Sequence, residues 1–284
     1  MASTGLANWG FDKLSQLALS SLIQLLSSLS PLLSSLSPPP SSLSLSKGGG
    51  FDGHCQLNGT ANRGGLLVVG ETCQSGVMDA GIPLEAVEFF AELEANNDRE
   101  WWTAHKMQWQ DAVREPMQGL TDQLAAEFGA AKLFRPNRDV RFSLDKSPYK
   151  THQGAVVATG AGIGYYVQVS SGGLLTGAGW YQPAPAQVAS YRQAVLAERS
   201  GRKLGQVVAA LVEAGFEIGG DTLKTAPRGV ETDHPRIALL RHRSLLASAE
   251  HGTPPWLETA EVVERVRADW RRYRPLMTWL TEHL

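Results

Sequence analysis

The sequence predicts an α+β domain over residues 81–284, a central and mainly antiparallel sheet with helices packed around it. Three observations carry that expectation. Helically spaced apolar residues occupy both ends of the span, and three strand-like segments fill its middle. Between two of those segments stands Ser171-Gly172-Gly173, a hairpin signal that favours antiparallel pairing.

Pro83 suits a first helical turn, and Leu84, Val87, Phe90 and Leu93 follow at helical spacing. Asn96-Asn97-Asp98 then interrupts the pattern. Asp98 is placed to cap a second helix with the stripe Trp102, Trp109, Val113, Met117, Leu120, Leu124 and Phe128, and Pro116 predicts a kink in it. In that stripe Trp102 and Trp109 read as core, Trp101 as rim, and His105 as an ordinary helix residue. Val140 to Ser143 alternates like a short strand. Residues 155–159, 164–170 and 174–180 read as strands, 185–199 and 202–214 as helices, and 216–218 as a strand. A short helix over 234–243, capped by Asp233, and a strand over 244–249 come next. Residues 259–283 close the chain as an amphipathic helix with Val262, Val266, Trp270, Tyr273, Leu276 and Leu280 inward.

Residues 1–80 read as a separate, low-complexity and disordered segment. Between Leu14 and Ser46 no residue is charged and 25 of 33 positions are Ser or Leu, with Pro31 and Pro38 to Pro40 interrupting. A membrane span needs roughly 20 mostly apolar residues, and the serines and Pro31 break every such window. Lys13 alone makes a thin basic region for a secretory signal. Met78 stands just before the first patterned helix, and the natural start is expected there. Peptides from residues 1–70 in the native protein would refute that.

Residues 1–80 hold three of the 26 bases and four of the 28 acids, leaving 23 and 24 for the rest. A near-neutral domain lacks the broad positive field of a nucleic-acid binder. Both cysteines, Cys55 and Cys73, lie in the N-terminal segment, which excludes thiol chemistry, thiolate metal sites and internal disulfides from residues 81–284 and fits the cytoplasm.

Against that neutral background one stretch is dense in charge. FRPNRDVRFSLDKSPYKT, residues 134–151, carries Arg135, Arg138, Arg141, Lys146 and Lys150 against Asp139 and Asp145, an excess of three positive charges. Guanidinium groups bind carboxylates and phosphates bidentately, so the cluster is suited to an anion pocket. The competing reading is that Asp139 and Asp145 neutralise two of the bases in structural ion pairs. Ser143-Leu144-Asp145-Lys146 matches SxxK, but the alternating context and Pro148 oppose the helix that a Ser–Lys nucleophile needs. A second basic cluster, LKTAPRG over 223–229, precedes Asp233-His234-Pro235. An Asp beside a His near Lys224 and Arg228 is an acid–base element by composition, against the simpler reading of Asp233 as a helix cap. Gly160 to Gly164 is glycine-rich but precedes a strand, so it reads as a loop and not a dinucleotide fingerprint. His152, His234, Asp139 and Asp233 show no metal-ligand spacing.

Phe89-Phe90, Leu93, Asn96-Asn97, Arg99-Glu100-Trp101 and Lys106, then FRPNRDVRFSLDKSPYKTH, GYYVQVS, GAGWYQP, LKTAPRG and DHP, resemble the domain of unknown function 2461 family over about residues 84–284. The resemblance implies a family and no activity, cofactor or partner. It places both basic clusters, with Asp139, Asp145, Asp233 and His234, in the family pattern.

The expectation is a cytoplasmic domain, not attached to membrane, with a polar cleft that binds an anionic small molecule. Arg135, Arg138, Arg141, Ser143, Asp145, Lys146, Tyr149 and Lys150 would line it, joined by Lys224 and Arg228. If chemistry follows, Asp233 and His234 are the residues for proton transfer. Two other readings stand beside it: a structural or interaction domain whose charges brace the fold, and a nucleic-acid module that stacks bases on Tyr149, Tyr165 and Tyr166.

Overall fold

Residues 81–141 and 145–284 are described by a computed structural model, and the expectations for residues 1–80 fall outside them. α1, Leu84–Ala95, turns Ala86, Phe89, Phe90 and Leu93 inward and leaves Leu84 at its rim. Asp98 caps α2, Arg99–Gln108, by accepting the Trp101 N–H at 2.9 Å. The kink expected at Pro116 takes a specific form: a π-helical segment, Trp109–Arg114, joins α2 to α3, Glu115–Phe128. Its wider register accommodates Pro116, which follows just after it and has no N–H to give to the preceding turn. Trp102, Trp109, Val113, Met117, Leu120 and Leu124 all stay buried across the junction, while Trp101 is half-buried.

Six strands follow: β1 Lys132–Leu133, β2 His152–Gly160, β3 Ile163–Ser170, β4 Gly173–Trp180, β5 Glu217–Gly219 and β6 Leu245–Gly252. They form one sheet in the order β1-β2-β3-β4-β6-β5, with every neighbouring pair antiparallel. The turn into β4 requires glycine: Gly173 has φ +89° and a Cβ there would sit 2.0 Å from the Gly252 carbonyl oxygen.

One sheet face is the main core. Ala155, Val157, Tyr165, Val167, Trp180 and Ala247 meet the helices there, α7 (Glu261–His283) lying along β3 and β4. Its predicted inward residues Val262, Val266, Trp270, Tyr273, Leu276 and Leu280 are all buried. Trp270 satisfies its indole N–H on the Tyr166 carbonyl at 3.1 Å. The other face carries a smaller cluster, Val156, Tyr166, Leu175 and Leu246, with Phe134 and Tyr181 packed against it.

Between β4 and β6 lie α4, Pro185–Leu196, α5, Glu198–Glu213, and the short α6, Ile237–Leu240. The helix expected over 234–243 is thus only four residues long. Arg241 and Arg243 are drawn instead into a ladder with 221–223: the Leu223 N–H donates to the Arg241 carbonyl at 2.8 Å and the Arg243 N–H to the Asp221 carbonyl at 2.6 Å. Among the described residues no helix is long and apolar enough to cross a membrane.

Candidate functional site

The charged stretch is a loop with a narrow neck. Arg138 N–H donates to the Pro148 carbonyl at 2.9 Å and Lys150 N–H to the Pro136 carbonyl at 2.8 Å, with Asn137 and Tyr149 bridged between them. Two proline carbonyls serve as acceptors, which suits residues that cannot donate. Tyr149 then locks the neck to the helices. Its ring stacks on Trp102 at 4.2 Å and 12°, and Asn97 brackets its backbone, donating to the carbonyl at 3.0 Å and accepting the N–H at 3.1 Å. Tyr149 is therefore a buried anchor of the neck.

At the described half of the strand predicted over Val140 to Ser143, Val140 lies outside any strand and Arg141 is in a turn. Asp139 is the cause. Its carboxylate accepts the Arg141 backbone N–H at 3.3 Å, an Asx-type turn that competes with extension, and also the Arg141 guanidinium at 2.9 and 2.6 Å. Asp145 pairs with Arg138 and accepts the Ser147 hydroxyl at 2.6 Å and N–H at 2.9 Å. Hydrogen bonds from the Arg141 side chain bring the Asp139 carboxyl down to about 2, and those from Ser147, then Arg138, do the same for Asp145. Lys146 donates to the Val140 carbonyl at 3.0 Å. Phe142, Ser143 and Leu144 lie outside the described residues.

At its root the loop lies over the second sheet face. Lys150 is 3% exposed, with its ammonium 5.0 Å from the Phe134 ring centroid, and Phe134 packs on Tyr166. The Tyr166 hydroxyl donates to Gln168 at 2.7 Å. Gly154 makes room for that side chain, since a Cβ there would stand 2.4 Å from the Tyr166 hydroxyl.

The second basic cluster is elsewhere. Lys224 and Arg228 are exposed in the connection between β5 and β6, which roots where Gly219, Leu246 and Trp180 end the sheet. The first loop enters at His152, opposite Ser170. From the strand spacing and rise, the two roots are about 19 Å apart across the sheet and about 20 Å along it. They occupy diagonally opposite corners, so the sheet does not bring them into one cleft at their bases.

Asp233 does not cap α6, whose N-cap position is Arg236. His234 shapes the turn instead: its Nδ1 accepts the Arg236 N–H at 3.1 Å, which leaves the proton of the neutral ring on Nε2. Arg236 in turn closes the C-terminal end of α4, its guanidinium donating to the Val195 and Leu196 carbonyls at 2.9 and 3.1 Å and pairing with Glu198 at 3.1 Å. The DHP segment thus acts as a brace.

One polar cluster was not read from the sequence. His251 Nε2 lies 2.7 Å from the Asp269 carboxylate, which also accepts the Thr176 hydroxyl at 2.7 Å, with the Tyr273 hydroxyl 3.3 Å from Thr176. A β-bulge aims the histidine: Leu174 faces Gly252 and Leu175 faces Glu250, leaving His251 as the extra residue. The available signal was Asp269 itself, a charge three residues after Val266 and four before Tyr273 on the inward stripe of α7. Among the described residues no three His, Cys, Asp or Glu side chains gather as a metal site. An open, mostly apolar groove of about 450 Å³ between α5 and α7, lined by Lys203, Val207, Ala210, Arg272 and Pro275, shares no residue with either basic cluster.

The family model described as conserved hypothetical protein (DUF2461) matches residues 85–279, which includes both basic loops, the whole sheet and most of α7. The chain belongs to this family. No curated protein matches it, and no solved structure does. Membership in DUF2461 therefore brings no reaction with it, and the chemistry has to be argued from the loops themselves.

Proposed function

We propose that residues 81–284, acting as one cytoplasmic domain, bind an anionic small molecule at the 134–150 loop. The observation that carries this reading is the charge balance of the loop. Both its acids are already engaged, by Arg141 and by Arg138 with Ser147, yet the segment keeps three positive charges in excess. Arg135, Arg138, Arg141 and Lys146 are the residues for an incoming anion, with Lys150 at the root beside Phe134. The Asp139 and Asp145 carboxylates orient the guanidinium groups in advance of binding, which lowers the ordering cost of capture. No reaction is assigned: His234 shapes the turn before α6.

The bracing reading is favoured by one observation, that Asp139–Arg141 and Asp145–Arg138 are complete within the loop. A thermal-shift screen of the full chain against inorganic phosphate, pyrophosphate and citrate separates the two. A ligand at 100 times its Kd stabilises by about 2.7 kcal/mol, and Arg141→Ala should remove that shift while the unliganded melting point hardly moves. If none of the three anions shifts the wild type, or the shift survives in Arg141→Ala, binding at this loop is wrong. A shift that vanishes steeply with salt and returns with single-stranded nucleic acid would favour the nucleic-acid module instead.

A further inference from the structure

α5 and α7 lie side by side and run in opposite directions. At one end the Ser200 carbonyl accepts the Trp279 indole N–H at 3.0 Å and Lys203 meets Glu282 at 3.4 Å; at the other the Phe216 ring packs on Tyr273, 4.8 Å between centroids. Between these two seams lies the open groove of about 450 Å³. Lys203, Val207, Ala210 and Ala214 line it from one face of α5, three or four residues apart, and Arg272 and Pro275 line it from α7. By the helical rise, Lys203 to Ala214 spans about 16 Å.

The walls are apolar and open to water. Ala210, Ala214 and Pro275 are exposed and Val207 is half-buried, and Pro275 gives up a backbone hydrogen bond inside α7. An exposed apolar groove with a polar rim marks a ligand or partner site, and size decides between the two. The volume falls within the range of about 300–1,000 Å³ typical of small-molecule sites. A helix with its side chains is about 10–12 Å across and would rest on the rim. The eight lining residues also fall short of the roughly 20–30 that each side of a stable protein interface contributes.

The two cations of the rim differ. Lys203 already has Glu282, so what it adds is its hydrocarbon stem. Arg272 has no acid: its neighbours Arg271 and Arg274 both pair with Glu127, whereas among the described residues Arg272 is in no ion pair. Asp269, one turn back on α7, is taken by Thr176 and His251. The Arg272 guanidinium lies over the Phe216 ring, 5.9 Å from its centroid, where its planar fork can meet a carboxylate bidentately. We propose that the groove binds an aliphatic carboxylate, its chain lying over Val207, Ala210 and Pro275 and its head group on Arg272. The inference does not rest on the 134–150 loop, and the two can fail separately.

The test titrates decanoate, below its micelle concentration, into the full chain labelled with ¹³C at the valine methyls. The Val207 signals, identified by their loss in Val207→Ile, should move saturably with decanoate and not with acetate. Arg272→Gln, at an exposed position, should weaken the decanoate titration at least about tenfold and leave that of decanol, which has the chain without the charge, unchanged. Ala210→Trp, which fills the groove from an exposed helical position, should abolish both. If either variant fails to fold, the decanoate and acetate titrations of the wild type still decide. Val207 signals that ignore decanoate, that respond equally to acetate, or that respond as well in Ala210→Trp overturn the site, and a decanoate affinity untouched by Arg272→Gln overturns the assignment of the head group. Signals that move with protein concentration instead, in the wild type and not in Ala210→Trp, would give the groove to a second copy of the chain and overturn the proposal.

Discussion

The 134–150 loop and the 220–244 connection are both basic excursions from one antiparallel sheet, and they handle their charge in opposite ways. In the first, arginines are answered by acids two and seven residues away, so the loop neutralises itself locally. In the second, Arg236 reaches across to the end of α4 and to Glu198, and Arg243 pairs with Asp221 from the far end of the connection. An equal number of Arg and Lys, five in each segment, therefore says little about role. What decides it is whether the partner is a neighbour in the chain or an element brought up by the fold.

The largest effect that distinguishes them is Arg236→Ala. It removes two charge-assisted bonds to the α4 carbonyls and a pair with Glu198, from a side chain only 16% exposed. A loss of about 3 kcal/mol in urea unfolding is expected. Less than about 1 kcal/mol would mean that the connection is not braced by that residue.

Asn97→Ala tests the anchor of the first loop. It abandons both backbone bonds to Tyr149 but leaves the Trp102 stack, so about 2 kcal/mol is expected. Amide exchange of Lys150 should rise with it; if stability falls while that amide stays protected, the neck is held by the stack alone.

Acid should separate the two regions as well. Burial pulls His242, in the connection, below its ordinary value, so its contribution is complete above the unfolded value near 6.5 and is lost as pH falls through the folded one. Asp139 and Asp145 are also lowered, to about 2, and their contribution is complete above the unfolded value near 3.9 and lost as pH falls toward 2. Amide exchange followed from pH 7 to 2 should loosen 221–223 and 241–243 first and 138–147 last. The reverse order would contradict the assignment of charges to partners.

The smallest effect belongs to Arg141→Ala. Arg141 is 74% exposed and its pair with Asp139 is solvent-screened, so the midpoint of urea unfolding should hardly move. A larger loss would convert Arg141 from a ligand residue into a structural one.

Much of the fold was legible because its signals are local. Asp98 caps α2, the Ser171-Gly172 turn joins β3 to β4, and the apolar spacing of α7 matches its buried face. Errors arose where a side chain or a distant strand overrode local pattern. At Val140 and Arg141 the alternation was outweighed by the Asp139 turn, and the helical reading of 241–243 by pairing with 221–223. The candidate site was visible only as charge. That Tyr149 faces Trp102, and that Asp269 waits beneath a bulged His251, are long-range facts with no signature in residue spacing.

The most direct measurement is calorimetric titration of the full chain with inorganic phosphate, for wild type and Arg141→Ala. The account predicts one saturable event in the wild type that is absent from Arg141→Ala. No event, or an event that survives in Arg141→Ala, would contradict an anion site at the 134–150 loop.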